Sequence, residues 1–383
     1  MGPGDDVAAK LFAKGFYEQE IYTYRPSPVL RRDIVVARLL PRNEGHRPKS
    51  RRSPGFDQYK VVVEVEMNWC VRAGRPSFEA GILDGMEVER RVAHLVLNPA
   101  AGRGRAAARR GEISAYLEGR GIGVEWHVTR GTGHAGKIVA GLPDGALVVA
   151  VGGDGTVHEV AAACVRTGRV MGILPVGSGN DYVKALGVGT DLGRALEVVA
   201  GGVVRSVDVG EVNGVRFNNG LGIGFDAEVA AGVAKAPAYL GGFGGYLWSV
   251  GRLLWGFECR EARLKLGGEE IPIETILVAV ALGTTYGARF RLAPESDLED
   301  GAFDVVWSEE VSRTEILRLI PSVLRGTHLA HPKIHFARAA EVEVSLKKPV
   351  PAHVDGEILS HTRDFRARVL PRALHVLAPQ PPG

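Results

Sequence analysis

A doubly wound, mostly parallel α/β domain followed by an antiparallel β-sandwich is the fold class that this 383-residue sequence predicts. Three observations predict it. From Val92 to about Ser206, short apolar runs alternate with helix-like stretches, the order that a parallel sheet requires. Two of those runs, Ala146 to Val151 and Val170 to Leu174, are apolar without alternation, as strands covered on both faces are. Beyond Ser206 the runs shorten, alternate and are separated by Gly, Pro and Asp turns, the texture of packed antiparallel sheets.

Taken in order, His94 to Leu97 is a strand that runs into Asn98-Pro99-Ala100-Ala101-Gly102, and an Ala/Arg-rich helix follows from Gly104 to about Leu117. Val124 to Thr129 alternates as a strand, Thr132 to Ala140 is helix-like, and Pro143-Asp144-Gly145 turns the chain into the strand at Ala146 to Val151. Gly152-Gly153-Asp154-Gly155-Thr156 then opens a helix over about Val157 to Thr167, which leads to the strand at Val170 to Leu174. In the second half, strand patterns fall at Ala262 to Leu266, Ile271 to Leu282, Phe303 to Trp307, Val342 to Leu346, Phe365 to Leu370 and Ala373 to Leu377. One helix, about Leu240 to Phe257, interrupts them. The expected domains are therefore 86–206 and 207–383. Residues 1–85 form a basic, Pro-containing extension of weakly ordered composition.

Composition excludes several classes. With 47 basic and 44 acidic residues, the net charge of +3 is too small for a dedicated nucleic-acid binder. The three cysteines, Cys70, Cys164 and Cys259, are too far apart for a zinc ribbon or a disulfide framework, which points to a reducing cytoplasm. No apolar run is long enough to span a membrane, and the first twenty residues lack the apolar core of a secretory signal. Glycine is the outlier at 51 residues, gathered in short patches where the backbone must turn tightly or approach a ligand closely.

Gly152 to Thr156 ends a buried strand and opens a helix, so its amides and the helix N-terminus face one spot, as phosphate binding requires. Glycines at Gly152, Gly153 and Gly155 let the backbone reach oxygen atoms, and Thr156 adds a hydroxyl. Asp154 would repel phosphate unless Mg²⁺ intervenes or the acid handles a proton; the competing reading is a tight turn with Asp154 or Thr156 as a helix cap. A second glycine turn, Pro175 to Asp181, ends the next strand at the same sheet edge and brings Gly177, Ser178, Asn180 and Asp181. Asn98 adds a third polar turn. Asp355-Gly356-Glu357 carries two acids near the far end of the chain; alone it reads as readily as a hairpin turn.

In this order, together with Asn219 to Ala227 and Asp300-Gly301 with Asp304, these motifs resemble the diacylglycerol kinase catalytic fold, in particular its soluble bacterial lipid kinases, over about residues 90 to 380. The resemblance implies an ATP- and Mg²⁺-dependent kinase that phosphorylates a lipid hydroxyl. Diacylglycerol or a sphingoid-like alcohol is the leading acceptor, and contact with the membrane surface is transient. It implies that Asn98, Gly152, Gly153, Gly155 and Thr156 contact the nucleotide, that Asn180 and Asp181 lie near nucleotide and metal, and that Asp154 is essential for transfer. Asp355 and Glu357 match an acidic pair with base and metal roles. As the proton acceptor, Asp355 is placed slightly ahead of Asp154. Asp300 and Asp304, with Asp297, resemble a structural Mg²⁺ loop. Three departures stand out: Ala101 replaces a usual serine, Ser178 a usual threonine, and Thr284-Thr285-Tyr286-Gly287 an asparagine- and glycine-rich stretch. The competing readings are an NAD kinase, which shares the Gly-Gly-Asp-Gly-Thr loop, and a nucleotide-binding regulatory module without turnover. A hydride-transferring enzyme lacks its fingerprint here.

The remaining candidates have bland alternatives. His158 and Glu159 read first as solvated residues of a helix start. Arg103, Arg105, Arg109 and Arg110 are equally a phosphate-facing cluster or a solvated helix face. The helix with Trp248 and Trp255 packs on the sandwich or touches a bilayer. His328, His331 and His335 read as surface residues. A homodimer stays open.

Overall fold

In a computed structural model of the chain, residues 92–380 are described except 234, 257 and 288, together with three strands nearer the N-terminus. The chain divides into two compact units, residues 1–86 and 87–383. Within the first, Ile21–Tyr24, Ile34–Pro41 and Tyr59–Glu66 pair as an antiparallel sheet, so the β-branched runs of the basic extension are ordered as strands.

The second unit is built on one continuous fourteen-stranded sheet. Its first half contains β1 (Val92–Leu97), β2 (Gly123–Val128), β3 (Leu147–Gly152) and β4 (Met171–Pro175), all parallel in the spatial order β4-β3-β1-β2. Parallel strands need crossover helices, and these are α1 (Arg110–Glu118), α2 (His134–Ala140) and α3 (Asp154–Thr167). The predicted first helix is broken: a turn at Arg105–Ala108 precedes α1, with Arg109 non-helical between them. β3 and β4 are buried along their whole length, which explains their unbroken apolar sequences. Short α4 (Asp181–Ala185) and α5 (Leu192–Gly201) follow β4.

The antiparallel half begins with β5 (Val203–Val212), β6 (Val215–Phe217) and β7 (Gly220–Gly224), then α6 (Phe225–Val233) and α7 (Gly241–Leu253). It continues through β8 (Arg260–Leu266), β9 (Glu269–Thr275), β10 (Leu277–Ala281), β11 (Phe303–Ser308), α8 (Arg313–Arg325) and β12 (Ile334–Ala339). A long hairpin, β13 (Glu341–Val354) with β14 (Glu357–Ala378), closes the fold. Near its end, Val376 of β14 pairs in parallel with Met171 of β4, while Ala367 to Leu370 and Leu374 to Ala378 pair antiparallel with β5. The expected boundary at 206 therefore falls inside a strand, because one 22-residue strand belongs to both halves of the sheet.

This connectivity places the site. β1, β3 and β4 run in one direction and deliver Asn98, Gly152 and Pro175 to one edge. The β13–β14 hairpin carries its tip to β7, where Leu221 pairs with Val354. That tip is a two-residue turn in which Asp355 and Gly356 both take positive φ, 51° and 88°, the geometry that favours an Asp-Gly pair. Beside it, Phe225, Val229, Val250, Leu254, Ile276, Val311 and Ile316 form a separate apolar cluster between α6, α7 and α8.

Candidate active site

The two glycine turns pack directly on each other. A Cβ on Gly177 would lie 2.4 Å from the Gly153 Cα, so only glycine lets the backbones approach this closely. Asp154 crosses the contact: its Oδ2 accepts the Asn180 amide at 2.7 Å and its Oδ1 the Asp181 amide at 2.8 Å. It therefore caps the neighbouring turn rather than its own helix, whose first residue is preceded by Gly153 without a side-chain cap. A Cβ on Gly179 would come within 2.5 Å of that carboxylate, which fixes the glycine requirement there. Burial, reinforced by the Asp181 charge, raises the Asp154 pKa to about 6 even though two amides stabilise the anion.

Asn180 holds the second turn in place, with φ 53° and its Nδ2 donating to the Gly177 carbonyl at 3.0 Å. Lys184, one turn along α4, pairs with Asp181 at 2.8 Å. Thr156 is buried, its hydroxyl directed back over Gly152, where a Cβ would lie 2.4 Å away. Asn98 spends its side-chain oxygen on the Ala100 amide at 3.0 Å, closing its own turn. That turn meets the second one, since a Cβ on Gly102 would fall 2.2 Å from the Val176 carbonyl oxygen.

Asp355 reaches the same place from the far end of the chain. Its Oδ1 accepts the amides of Asn219 and Gly220 at 2.8 and 3.0 Å, and its Oδ2 accepts the Asn218 amide at 2.9 Å. His158 of α3 lies 2.8 Å from the same Oδ2. Burial alone would raise the Asp355 pKa; the bond and charge of His158, with the amides, hold it below the ordinary carboxylate range. For His158 burial acts downward, but Asp355 and the nearby Glu357 charge overcome it and raise its pKa. Asp355-Gly356 is thus a hairpin turn that also carries its carboxylate into the cavity shared with Asp154. Glu357 stands exposed beyond it, its Oε1 only 2.8 Å from where a Gly155 Cβ would be.

A third acid was not singled out from the sequence. Asp226, at the start of α6, is buried with its Oδ2 2.9 Å from His353 Nε2 and its Oδ1 accepting the Tyr246 hydroxyl at 2.7 Å. The Gly356 amide donates to His353 Nδ1, which leaves the ring proton on Nε2, facing the carboxylate. Burial opposes ionisation of Asp226, yet His353 and Tyr246 bring its pKa below the usual value. Gly222 runs beneath this pair, since a Cβ there would lie 2.3 Å from Asp226 Oδ2 and 2.4 Å from His353 Nε2. The signal was present: Asp226 ends the glycine motif that begins at Asn219, and His353 stands two residues before Asp355.

Two further readings change. His158 is part of the site, and Glu159 is no solvated residue: its carboxylate accepts the amides of Gly133 and Ala135 at 2.7 and 3.1 Å and so caps α2. In the expected metal loop, Asp304 is buried and paired with Arg338 at 2.8 Å, with Ser296 donating to its other oxygen. Asp297 and Asp300 accept the amides of Glu299 and Ala302, each closing its own turn.

Three cavities follow one another here. The largest, about 730 Å³, is lined by the second turn with Arg105, Arg109, Lys184 and Arg289. Through Ser178 and Gly179 it adjoins a cavity of about 290 Å³ that holds Asp154, Asp181, Asp226, His353 and Asp355. Asp226, Tyr246 and Tyr286 are walls of both that cavity and a third, apolar one of about 120 Å³ among α7, α8, β10 and β11. Tyr286, from the divergent Thr284 to Gly287 stretch, lies over Gly220 in the space that a Cβ would need.

Residues 92–212 match the diacylglycerol kinase catalytic domain, and residues 220–378 match the YegS C-terminal NAD kinase beta sandwich-like domain. The diacylglycerol kinase of Bacillus subtilis (strain 168) is 32% identical over 272 residues, 69% of this chain and 89% of that protein. The chain belongs to the diacylglycerol kinase family. Within this family, the diacylglycerol kinase of Staphylococcus carnosus (strain TM300) is 26% identical over 273 residues, 70% of this chain and 89% of that protein. The probable lipid kinase YegS-like of Chromohalobacter salexigens is 28% identical over 239 residues, 61% of this chain and 76% of that protein. A crystal structure of a diacylglycerol kinase from Bacillus anthracis str. Sterne shares the fold, with a TM-score of 0.59 at 21% identity over 76% of this chain and 97% of that one.

Proposed function

We propose that the chain is an ATP-dependent lipid kinase that transfers the γ-phosphoryl group to a lipid hydroxyl, with diacylglycerol the first candidate and a sphingoid-like alcohol the second. The observation that carries this reading is the sequence of compartments: a roomy, arginine-lined cavity, then an acidic one, then an apolar one, each sharing walls with the next. A nucleotide in the first would direct its phosphates along the Gly177–Gly179 backbone, and a lipid seated by its chain in the third would present its hydroxyl to the second.

Among the acids, Asp154 suits proton acceptance best. Each of its oxygens is held by one amide, leaving acceptor capacity for a hydroxyl, and its pKa of about 6 matches a base working near neutral pH. Asp355 carries four hydrogen-bonding partners on two oxygens and a lowered pKa, so it serves as an anchor for residues 218–220 and His158. This reverses the order expected from the sequence. Mg²⁺ fits the donor set: Asp181 is a hard oxygen ligand in the cavity with Asp154, Glu357 reaches in over Gly155, and Asn218, which lines the cavity, has a buried side-chain oxygen with no partner among the described residues. When bound, the ion would offset phosphate charge during transfer. Asp226, oriented by His353 and Tyr246, is positioned to hold the acceptor at the boundary between the acidic and apolar compartments.

γ-Labelled ATP supplied with diacylglycerol, a sphingoid base and NAD in separate reactions tests the proposal. Label in one of the lipids supports it; label only in NAD establishes the competing activity, and bound ATP with no labelled product establishes a module without turnover. Membrane contact belongs to the same reading: Trp255 is 74% exposed just beyond α7, with the Arg313 guanidinium 5.0 Å from its ring. Trp255→Ala should weaken co-sedimentation with anionic vesicles, and unchanged sedimentation would remove that assignment.

A further inference from the structure

Away from the cleft, strands β1 and β2 bring two histidines and a glutamate together. In the parallel register His94 lies opposite Glu125, and His127 is two residues beyond Glu125, so the pair on β2 shares one face. Trp126 points to the opposite face, where its indole donates to Ser114 of α1 at 3.0 Å. His94 Nδ1 lies 3.2 Å from His127 Nε2 and 3.3 Å from Glu125 Oε2, and His127 Nε2 lies 3.5 Å from Glu125 Oε1. Among the described residues this is where three His, Cys, Asp or Glu ligand atoms converge within 4.8 Å. None of the three lines the cavities of the candidate active site.

The His94–His127 separation of 3.2 Å and the His94–Glu125 Oε2 separation of 3.3 Å match two edges of a tetrahedral metal site, with the second carboxylate oxygen turned toward His127. A tetrahedron's edge is about 1.63 times its centre-to-corner length, so zinc bonds of about 2.0–2.1 Å place donors about 3.3–3.4 Å apart. We propose that His94, Glu125 and His127 form a binding site for one divalent transition-metal ion of the Zn²⁺ type. His94 is the buried corner at 7% exposure, while the Glu125 side chain is 58% exposed and leaves a fourth position open to water. Two imidazoles with one carboxylate select borderline ions and disfavour Mg²⁺ and Ca²⁺. The nearby Arg169 guanidinium is engaged by the Leu142 and Pro143 carbonyls and by Asp144, so its charge is met outside the ligand set. Among the described residues β2 is an edge strand of the sheet, paired to β1, and a metal bridging them would fasten that edge.

The test is titration of chelator-stripped full-length protein with Zn²⁺ against a chromogenic zinc indicator, in the presence of excess Mg²⁺. A parallel Co²⁺ titration reads visible ligand-field bands. The expected result is one Zn²⁺ per chain, tetrahedral Co²⁺ absorption and a metal-dependent rise in Tm. His127→Gln, a partly exposed change that keeps the strand, should weaken binding beyond the roughly 10–100-fold that loss of an outer partner produces and remove the Tm response. Glu125→Gln, at an exposed side chain, should weaken it in the same direction. No stoichiometric binding, or binding and Tm response unchanged in His127→Gln, would overturn the proposal and leave a metal-free His94–His127 hydrogen bond.

Discussion

Replacing Asp355 with Asn separates an anchor from a base. In the parent, two carboxylate oxygens accept three backbone amides and face His158. The Asn side chain keeps one acceptor oxygen, which can retain the Asn219 and Gly220 amides, but its NH₂ group then meets the Asn218 amide donor against donor, and His158 loses its anionic partner. Loss of a hydrogen bond to a buried charge costs about 1.5–3 kcal/mol, and stranding the His158 partner adds to it, so about 3 kcal/mol is expected. At about 2–4 °C per kcal/mol this corresponds to a fall in Tm of about 6–12 °C. Activity should fall with it, because Asn218 and Asn219 line the acidic cavity together with Asp154. Thermal unfolding monitored by circular dichroism, alongside transfer kinetics, measures both. A variant whose Tm stays within about 1 °C of the parent while transfer is abolished would refute the anchoring role and return Asp355 to the chemistry.

Other outcomes follow from the same geometry. Asp154→Asn removes a carboxylate whose ionised form burial disfavours but turns one of the two acceptors of the Asn180 and Asp181 amides into a donor, so its Tm deficit against the parent should shrink as pH rises from 3.8 to about 6, where the parent loses the stability of its more tightly held proton; a deficit that grows over that range would contradict this. Transfer by the parent should decline as pH drops through about 6, where Asp154 takes up its proton, and a rate that stays flat down to pH 5 would exclude it as the acceptor. His158→Asn should cost most stability between the ordinary Asp and His values of 3.8 and 6.5: the raised His158 contribution is lost as pH rises through its folded pKa, and the lowered Asp355 contribution as pH falls through its own. A stability difference that is the same at every pH would refute this coupling. Ile320→Trp, which fills part of the apolar cavity, should raise KM for a long-chain acceptor about tenfold and leave KM for ATP unchanged; equal effects on both would disconnect that cavity from the acceptor.

The parallel half of the fold was legible because its strands are buried on both faces and its helices follow tight glycine turns, so pattern and environment agree. α6 and α8 were not. The Gly220–Gly224 run looks like a loop, yet it is strand β7, its glycines required by Tyr286 over Gly220 and by Asp226 and His353 over Gly222. α8 carries Ser312 and Glu315 as a reciprocal cap, a readable start signal, but Pro321 inside it interrupts the pattern. At the site, the phosphate-type turns, Asp154 and Asp355 were visible in local sequence. Their division of labour was not, since Asp355 is set by residues 158 and 218–220, contacts that only the closed hairpin makes. His353, Asp226 and Tyr246 meet across three separate elements, so the motifs that carry Asp226 and His353 do not disclose their pairing.

In the proposed reaction, Asp154 accepts the proton of a lipid hydroxyl held between the acidic and apolar cavities. This step is tested most directly by single-turnover transfer from γ-labelled ATP to diacylglycerol, comparing the parent with Asp154→Asn at equal nucleotide occupancy. Labelled lipid is expected from the parent and at least about a hundredfold slower transfer from the variant, with ATP binding retained. Equal transfer rates, or label released only to water by the parent, would contradict it.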